Sequence, residues 1–133
     1  MIVLDAGVLI ALFNAEDLHH AAVTSFLAAN IEGPFVTNVL ALAEGLVHPT
    51  ARGDAAESER FFDSLGLHVL TVPNDAAVAL AEVRHATRLR MPDAVVVFTA
   101  EHLGARIVTT DRALARAAGD RGLVVHLLDG DAA

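Results

Sequence analysis

A chain of 133 residues, 54% of them hydrophobic, suggests one domain and is long enough for a real core. It has no cysteine, which excludes a disulfide framework and a thiolate metal site, and its nine basic residues are all arginine, so Schiff-base and phosphate-anchoring lysines are excluded as well. The formal net charge of −8 speaks against a binder that relies on the phosphate backbone alone, and leaves room for an enzyme that draws divalent cations to an acidic cluster.

In chain order, Ile2, Val3 and Leu4 form a short buried strand that ends at Asp5. A helix follows from Ala6 to Phe13, with Leu9, Leu12 and Phe13 at helical spacing and Asn14 as its stop. A second helix is expected from about Asp17, an acceptable N-cap, to Asn30. Gly33 and Pro34 break the chain before a strand at Phe35, Val36 and Thr37. Asn38 can cap a helix over residues 39–47 that carries Glu44 and stops before Pro49. Residues 53–65 read as a more polar helix, with Phe61 and Phe62 on its buried side and Gly66 at its end. Residues 67–72 alternate and are β-branched, hence a strand. Asn74 caps a long helix to about Leu89, with Val78, Ala81 and His85 along one side.

The stretch from Arg90 to Arg112, RMPDAVVVFTAEHLGARIVTTDR, reads as helix, turn and strand. Val95, Val96, Val97 and Phe98 have strand character, but Pro92 suits a helix start and Thr99, Ala100 and Glu101 extend the run beyond a buried strand's usual length. The chain turns at Gly104, rebuilds as a strand at Ile107 and Val108, and reaches Thr109, Thr110 and Asp111. Asp111 starts another helix, and residues 123–128 close the chain as a strand. Five strands alternating with about seven helices imply βαβ units and a parallel sheet covered on both faces, an α/β fold in three layers, α/β/α. Residues 1–133 form a single domain, and only the last few, 129–133, are expected to be weakly ordered. The N-terminus lacks a basic region and Asp5 interrupts it, so no signal peptide is expected, and no uncharged run approaches membrane-spanning length; the absence of cysteine suits a reducing, cytoplasmic setting, which is the expected location, with no membrane partner expected.

In a parallel α/β sheet, sites form beyond the carboxyl ends of the strands. Asp5 and Asp111 lie directly after strands. Asp93 sits at a helix start and reaches the same edge only if the preceding helix returns the chain there. Glu44 lies about two turns into the helix that follows the second strand. Several carboxylates in one pocket raise one another's pKa, and a hard divalent cation resolves the conflict. A cluster of this kind, without a cysteine or a clear histidine set, points towards metal-dependent phosphodiester hydrolysis.

The order Asp5, Glu44, Asp93, Asp111 resembles the PIN-domain ribonucleases, and within them the VapC-type toxins of bacterial toxin–antitoxin systems. The matching pieces are IVLDAGVLIALF, TNVLALAEGL, RMPDAVVVFTAEHLGARIVTTD and the C-terminal strand, and they span essentially the whole chain. The resemblance implies a PIN-like fold with a five-stranded parallel sheet and Mg²⁺- or Mn²⁺-dependent endoribonuclease activity on structured RNA such as transfer or ribosomal RNA. It implies Asp5 and Asp93 as principal metal ligands, with Glu44 and Asp111 completing the catalytic cluster through waters or at a second ion. Thr109 matches a supporting hydroxyl position. A cognate antitoxin protein and a homodimer are further expectations, the latter supported by apolar helix surface over residues 39–46. Gly7 departs from the pattern: members often carry Ser, Thr or Asn there, so a side-chain hydrogen bond is missing.

Simpler explanations stand beside each of these. Helix capping accounts for Asp5, Asp93 and Asp111 individually. Glu44 in an apolar helix needs a cation if buried and means nothing if it faces solvent. Arg84, Arg88 and Arg90 form either a basic rim for phosphates or a solvated face; Arg90 and Arg112 are candidate contacts to RNA or antitoxin. The seven histidines show no metal-site spacing. A phosphoryl-accepting receiver domain of similar shape needs a lysine that this chain lacks. A catalytically weak or inactive PIN-like protein-interaction module is the alternative function.

Overall fold

A computed structural model describes residues 1–130. Part of the tail expected to be weakly ordered, residues 131–133, lies outside the described residues. Five strands, β1 (Ile2–Leu4), β2 (Phe35–Asn38), β3 (His68–Leu70), β4 (Arg106–Thr109) and β5 (Val125–Leu127), form one parallel sheet in the order β3-β2-β1-β4-β5. In register, Val3 pairs with Val36 on one side and Ile107 on the other, Thr37 pairs with Val69, and Val108 with His126. The central strand β1 is wholly buried, as a strand covered on both faces must be. Ile2 and Leu4 face one apolar cluster with Val8, Leu9, Val23 and Phe62, while Val3 faces a second with Val96, Val97, Ile107 and Leu114. The period-two alternation of β1 thus divides the core into two layers, which is the expected α/β/α architecture.

Eight helices are present among the described residues: α1 (Ala6–Phe13), α2 (His20–Ala29), α3 (Val39–Gly45), α4 (Val47–Arg52), α5 (Ala55–Ser64), α6 (Ala77–Thr87), α7 (Met91–Leu103) and α8 (Arg112–Asp120). The sequence reading had no α4, because Pro49 looked like a stop. Pro49 instead falls in the first turn of α4, where its missing N–H has no intrahelical role. Asp17 is not the cap of α2; the cap is His19, whose N–H Asp17 accepts at 2.8 Å. Asn74 likewise does not cap α6, which begins after Ala76 with no side-chain cap. Val78, Ala81 and His85 do share a side of α6, but it is the exposed side, and Val83 makes the buried contact. Phe62 is buried on α5 as expected, with Phe61 only partly so.

α7 explains why residues 95–98 were ambiguous. Ala94, Val95, Val96, Val97, Thr99 and Ala100 are all buried, so the helix is apolar all round and shows no 3.6-residue periodicity. It packs against β1, β2 and α6. Pro92 lies in its first turn, and Gly104 ends it at φ 63°, a left-handed conformation that glycine adopts at little cost.

Candidate metal centre at the carboxyl edge of the sheet

Three of the strands run into helices through a side-chain cap, and this sets the geometry of the edge. Asp5 Oδ1 accepts from Val8 N at 2.9 Å, Asn38 Oδ1 from Ala41 N at 2.9 Å, and Asp111 Oδ1 from Ala113 N at 2.8 Å and Leu114 N at 3.1 Å. Capping is therefore real for Asp5 and Asp111. It does not account for Asp93. The cap position of α7 is Arg90, and the Asp93 carboxylate has no hydrogen-bond or ion-pair partner among the described residues.

Asp5 is 5% exposed, and its second oxygen accepts a short hydrogen bond from Thr109 Oγ1. Burial pushes its pKa from 3.8 up to about 6; the bonds from Thr109 and Val8 pull it down, and the charges of Asp93 and Asp111 add to the rise. Asp93, partly buried, is raised first by desolvation and then by Asp111 and Glu44, with Arg90 opposing. The return of the chain by α6 and the loop to α7 thus brings Asp93 to the edge where Asp5 and Asp111 stand. Glu44 is exposed, so the argument from burial falls away. What remains is its repulsion of Asp93 across the edge.

Thr109 is fully buried and ties the site together: its Oγ1 donates to Asp5 and accepts from Asp111 N at 3.0 Å. Arg90 is exposed beside Asp93, and Arg112 is exposed and ion-paired with Asp129 at 3.0 Å. Two further groups escaped the sequence reading. Asn38 is buried at the end of β2 with its Nδ2 lacking a partner among the described residues. Thr110 places its hydroxyl 2.9 Å from where a Cβ on Gly7 would stand, so the space of a residue-7 side chain is already occupied by a hydroxyl from another strand end. The sequence signal for Thr110 was present in the pair Thr109-Thr110, but only the close approach to Gly7 gives the second threonine a place.

Among the described residues, no three Asp, Glu or His side chains close on one point tightly enough to hold an ion. Asp111 lies near enough to raise the pKa of both Asp5 and Asp93, without a ready-made ligand sphere. Their chemistry still fits a hard divalent cation: the donors are all carboxylate oxygens, Asp5 bears a desolvation penalty that its two hydrogen bonds only partly offset, and Asp93 has repulsive neighbours and no bonded partner among the described residues. Asp111 has one oxygen committed to α8, which leaves the other for a cation or its water.

The PIN domain family matches residues 2–120. No curated protein matches the sequence. Among solved structures, the sarcin–ricin loop cleaving toxin VapC20 of Mycobacterium tuberculosis is 23% identical, with 88% of this chain and 95% of that one covered and a TM-score of 0.71. A toxin–antitoxin complex from Klebsiella pneumoniae is 19% identical, covers 93% and 96%, and has a TM-score of 0.76. VapBC2 of Rickettsia felis bound to a promoter DNA fragment is 16% identical, covers 97% and 100%, and has a TM-score of 0.75. At these identities the likeness is one of fold.

Proposed function

The chain belongs to the PIN domain family, and from that premise we propose that it is a metal-dependent endoribonuclease, the toxin of a toxin–antitoxin module, which hydrolyses phosphodiester bonds in structured RNA. The observation that carries the reading is the convergence of Asp5, Asp93 and Asp111 at one sheet edge, where Asp93 and Asp111 raise the pKa of Asp5 and Asp111 raises that of Asp93. Asp5 and Asp93 would hold Mg²⁺ or Mn²⁺, with Asp111 and Glu44 binding through waters or at a second ion. When bound, the cation supplies an acidified water and a Lewis acid for the phosphoryl oxygens. Thr109 holds the Asp5 carboxylate in one orientation and keeps Asp111 in register with it. Asp111, fixed to the start of α8, orients an attacking water through its free oxygen.

Transfer or ribosomal RNA is the substrate class that the sequence resemblance implies, and the likeness to VapC20, a sarcin–ricin loop cleaving toxin, supports a structured RNA loop as target. The toxin–antitoxin complexes among the structural relatives support a cognate antitoxin as partner. Val39, Leu40 and Val47 are exposed on α3 and α4 and provide apolar surface for a homodimer. No helix of the described residues is long and apolar enough to cross a membrane.

The decisive experiment incubates the purified chain with RNA and Mg²⁺ or Mn²⁺ and maps new 5′ ends. Cleavage should vanish with EDTA and in Asp93→Asn. Cleavage that persists in a folded Asp93→Ala protein sinks the mechanism. The alternative, an inactive PIN-like interaction module, draws on one observation, the lack of a preformed three-carboxylate chelate among the described residues. Titration with Mn²⁺ separates the two, since the module should bind no ion specifically.

A further inference from the structure

Where the described chain needs a positive φ it uses glycine, at Gly33, Gly53, Gly66, Gly104 and Gly122, with a single exception. The exception is Arg88, which ends α6 at φ 61° and ψ 13°. A Cβ is disfavoured there, so glycine would be the less costly residue. Compensation of the helix dipole does not explain the choice, because Arg84 and His85 already place basic residues in the last turn of α6. Nor does a structural ion pair, because Arg88 makes none among the described residues. A strained backbone kept for the sake of its side chain marks a functional position.

Arg88 lines a cleft of about 350 Å³ between the end of α6 and α8, together with Leu89, Ala113, Arg116, Asp120 and Arg121. Arg121 is tied down by Glu82 and Glu101 and forms a fixed wall. Arg116 has no ion-pair partner among the described residues. The single carboxylate in the lining, Asp120, stands at the far end of α8. Both walls lead to the acidic site. Leu89 continues through Arg90 into the first turn of α7, which carries Asp93, and Ala113 is the residue whose N–H binds Asp111. In a chain of net charge −8, this cleft holds two arginines without an ion pair among the described residues, Arg88 and Arg116, and its lining includes Ala113, whose N–H binds Asp111.

We propose that the cleft between α6 and α8 is the track for the RNA strand flanking the cut site, with Arg88 and Arg116 gripping its phosphates. The inference rests on the endoribonuclease reading and adds to it where the strand lies. Guanidinium forks suit phosphate oxygens, and such contacts fix position without reading sequence.

The test uses the full chain carrying Asp93→Asn to block turnover, a labelled single-stranded RNA of mixed sequence, and a series of KCl concentrations. Arg88→Gly should leave the thermal midpoint unchanged or higher, because it relieves the backbone, while weakening RNA binding roughly fivefold. The slope of log affinity against log salt should flatten by about 0.7 for each arginine removed, in Arg88→Gly, Arg116→Ala and their combination. In the chain with Asp93 intact, the same substitutions should raise KM and spare kcat. Unchanged affinity and slope in the double variant would overturn the proposal while wild-type cleavage leaves the endoribonuclease reading standing. Variants that keep RNA but release a protein partner would also overturn it. A wild-type chain that neither binds nor cuts RNA defeats the underlying reading, and the cleft assignment with it.

Discussion

The junction of β1 with α1 and the junction of β4 with α8 are the same device used twice. Each strand is followed, within two residues, by an aspartate that caps the next helix with Oδ1, and both stand on one edge of the sheet. They differ in their second oxygen. At Asp5 it is buried and bonded to Thr109; at Asp111 it is left to solvent. Capping therefore tells nothing about chemistry, and the environment of the remaining oxygen tells a great deal. Asp5 is a charge held against its own desolvation, whereas Asp111 is a cap with an oxygen to spare.

The strongest way to break this comparison is to remove each acid in turn and measure RNA cleavage. Asp5→Asn keeps a capping oxygen yet should lower kcat about a thousandfold, as Asp93→Asn should. Asp111→Asn should cost about ten- to a hundredfold. Equal losses at positions 5 and 111 would erase the distinction.

A second test reads the desolvation of Asp5 in the metal-free protein. Its folded pKa, about 6, lies above the unfolded value of 3.8, so the folded state binds the proton more tightly. Stability is then highest below about pH 3.8 and falls as pH rises through 6, by about 3 kcal/mol from this group. Asp5→Asn should lack that fall, and its thermal midpoint should overtake that of the wild type between pH 4 and 7. Parallel pH curves would mean that the carboxylate is better solvated than its burial implies.

A smaller effect sharpens the link between the two junctions. Thr109→Val removes the donor to Asp5 and the acceptor for Asp111 N together, for about 2 kcal/mol in stability, and should also raise the Mn²⁺ concentration needed for half-maximal binding. Thr109→Ser should restore both. The least effect is expected from Asp111→Ala, which loses a helix cap worth about 1 kcal/mol by denaturant unfolding.

Most of the sheet was legible in the sequence, because buried parallel strands are short apolar runs and each ends where a polar cap begins. The edge strands β3 and β5 came out shorter than residues 67–72 and 123–128 suggested, since half-exposed ends keep strand-like residues without pairing. The helices were read well where a cap is a side chain, as at Asp5, Asn38 and Asp111. They were misread at α2 and α6, whose caps at His19 and Ala76 carry no side-chain bond and leave no signal. Asp93 could be placed only through topology, which spacing does not contain. Glu44 was suspected because its helix is apolar, but that helix turns the apolar face of Ala41 and Leu42 inward and leaves Glu44 outside. Arg88 was invisible as a special position, since a positive φ on a residue other than glycine has no sequence signature.

The close approach of Gly7 and Thr110 has a consequence for how related chains should vary. One small volume beside Asp5 is reached from α1 and from the end of β4, and a Cβ at position 7 would stand 2.9 Å from the Thr110 hydroxyl, so one of the two has to give way. Positions 7 and 110 thus behave as one site with two addresses. A related chain that gains bulk at one should shed it at the other, and the polar character of this corner of the active edge belongs to the pair rather than to either residue.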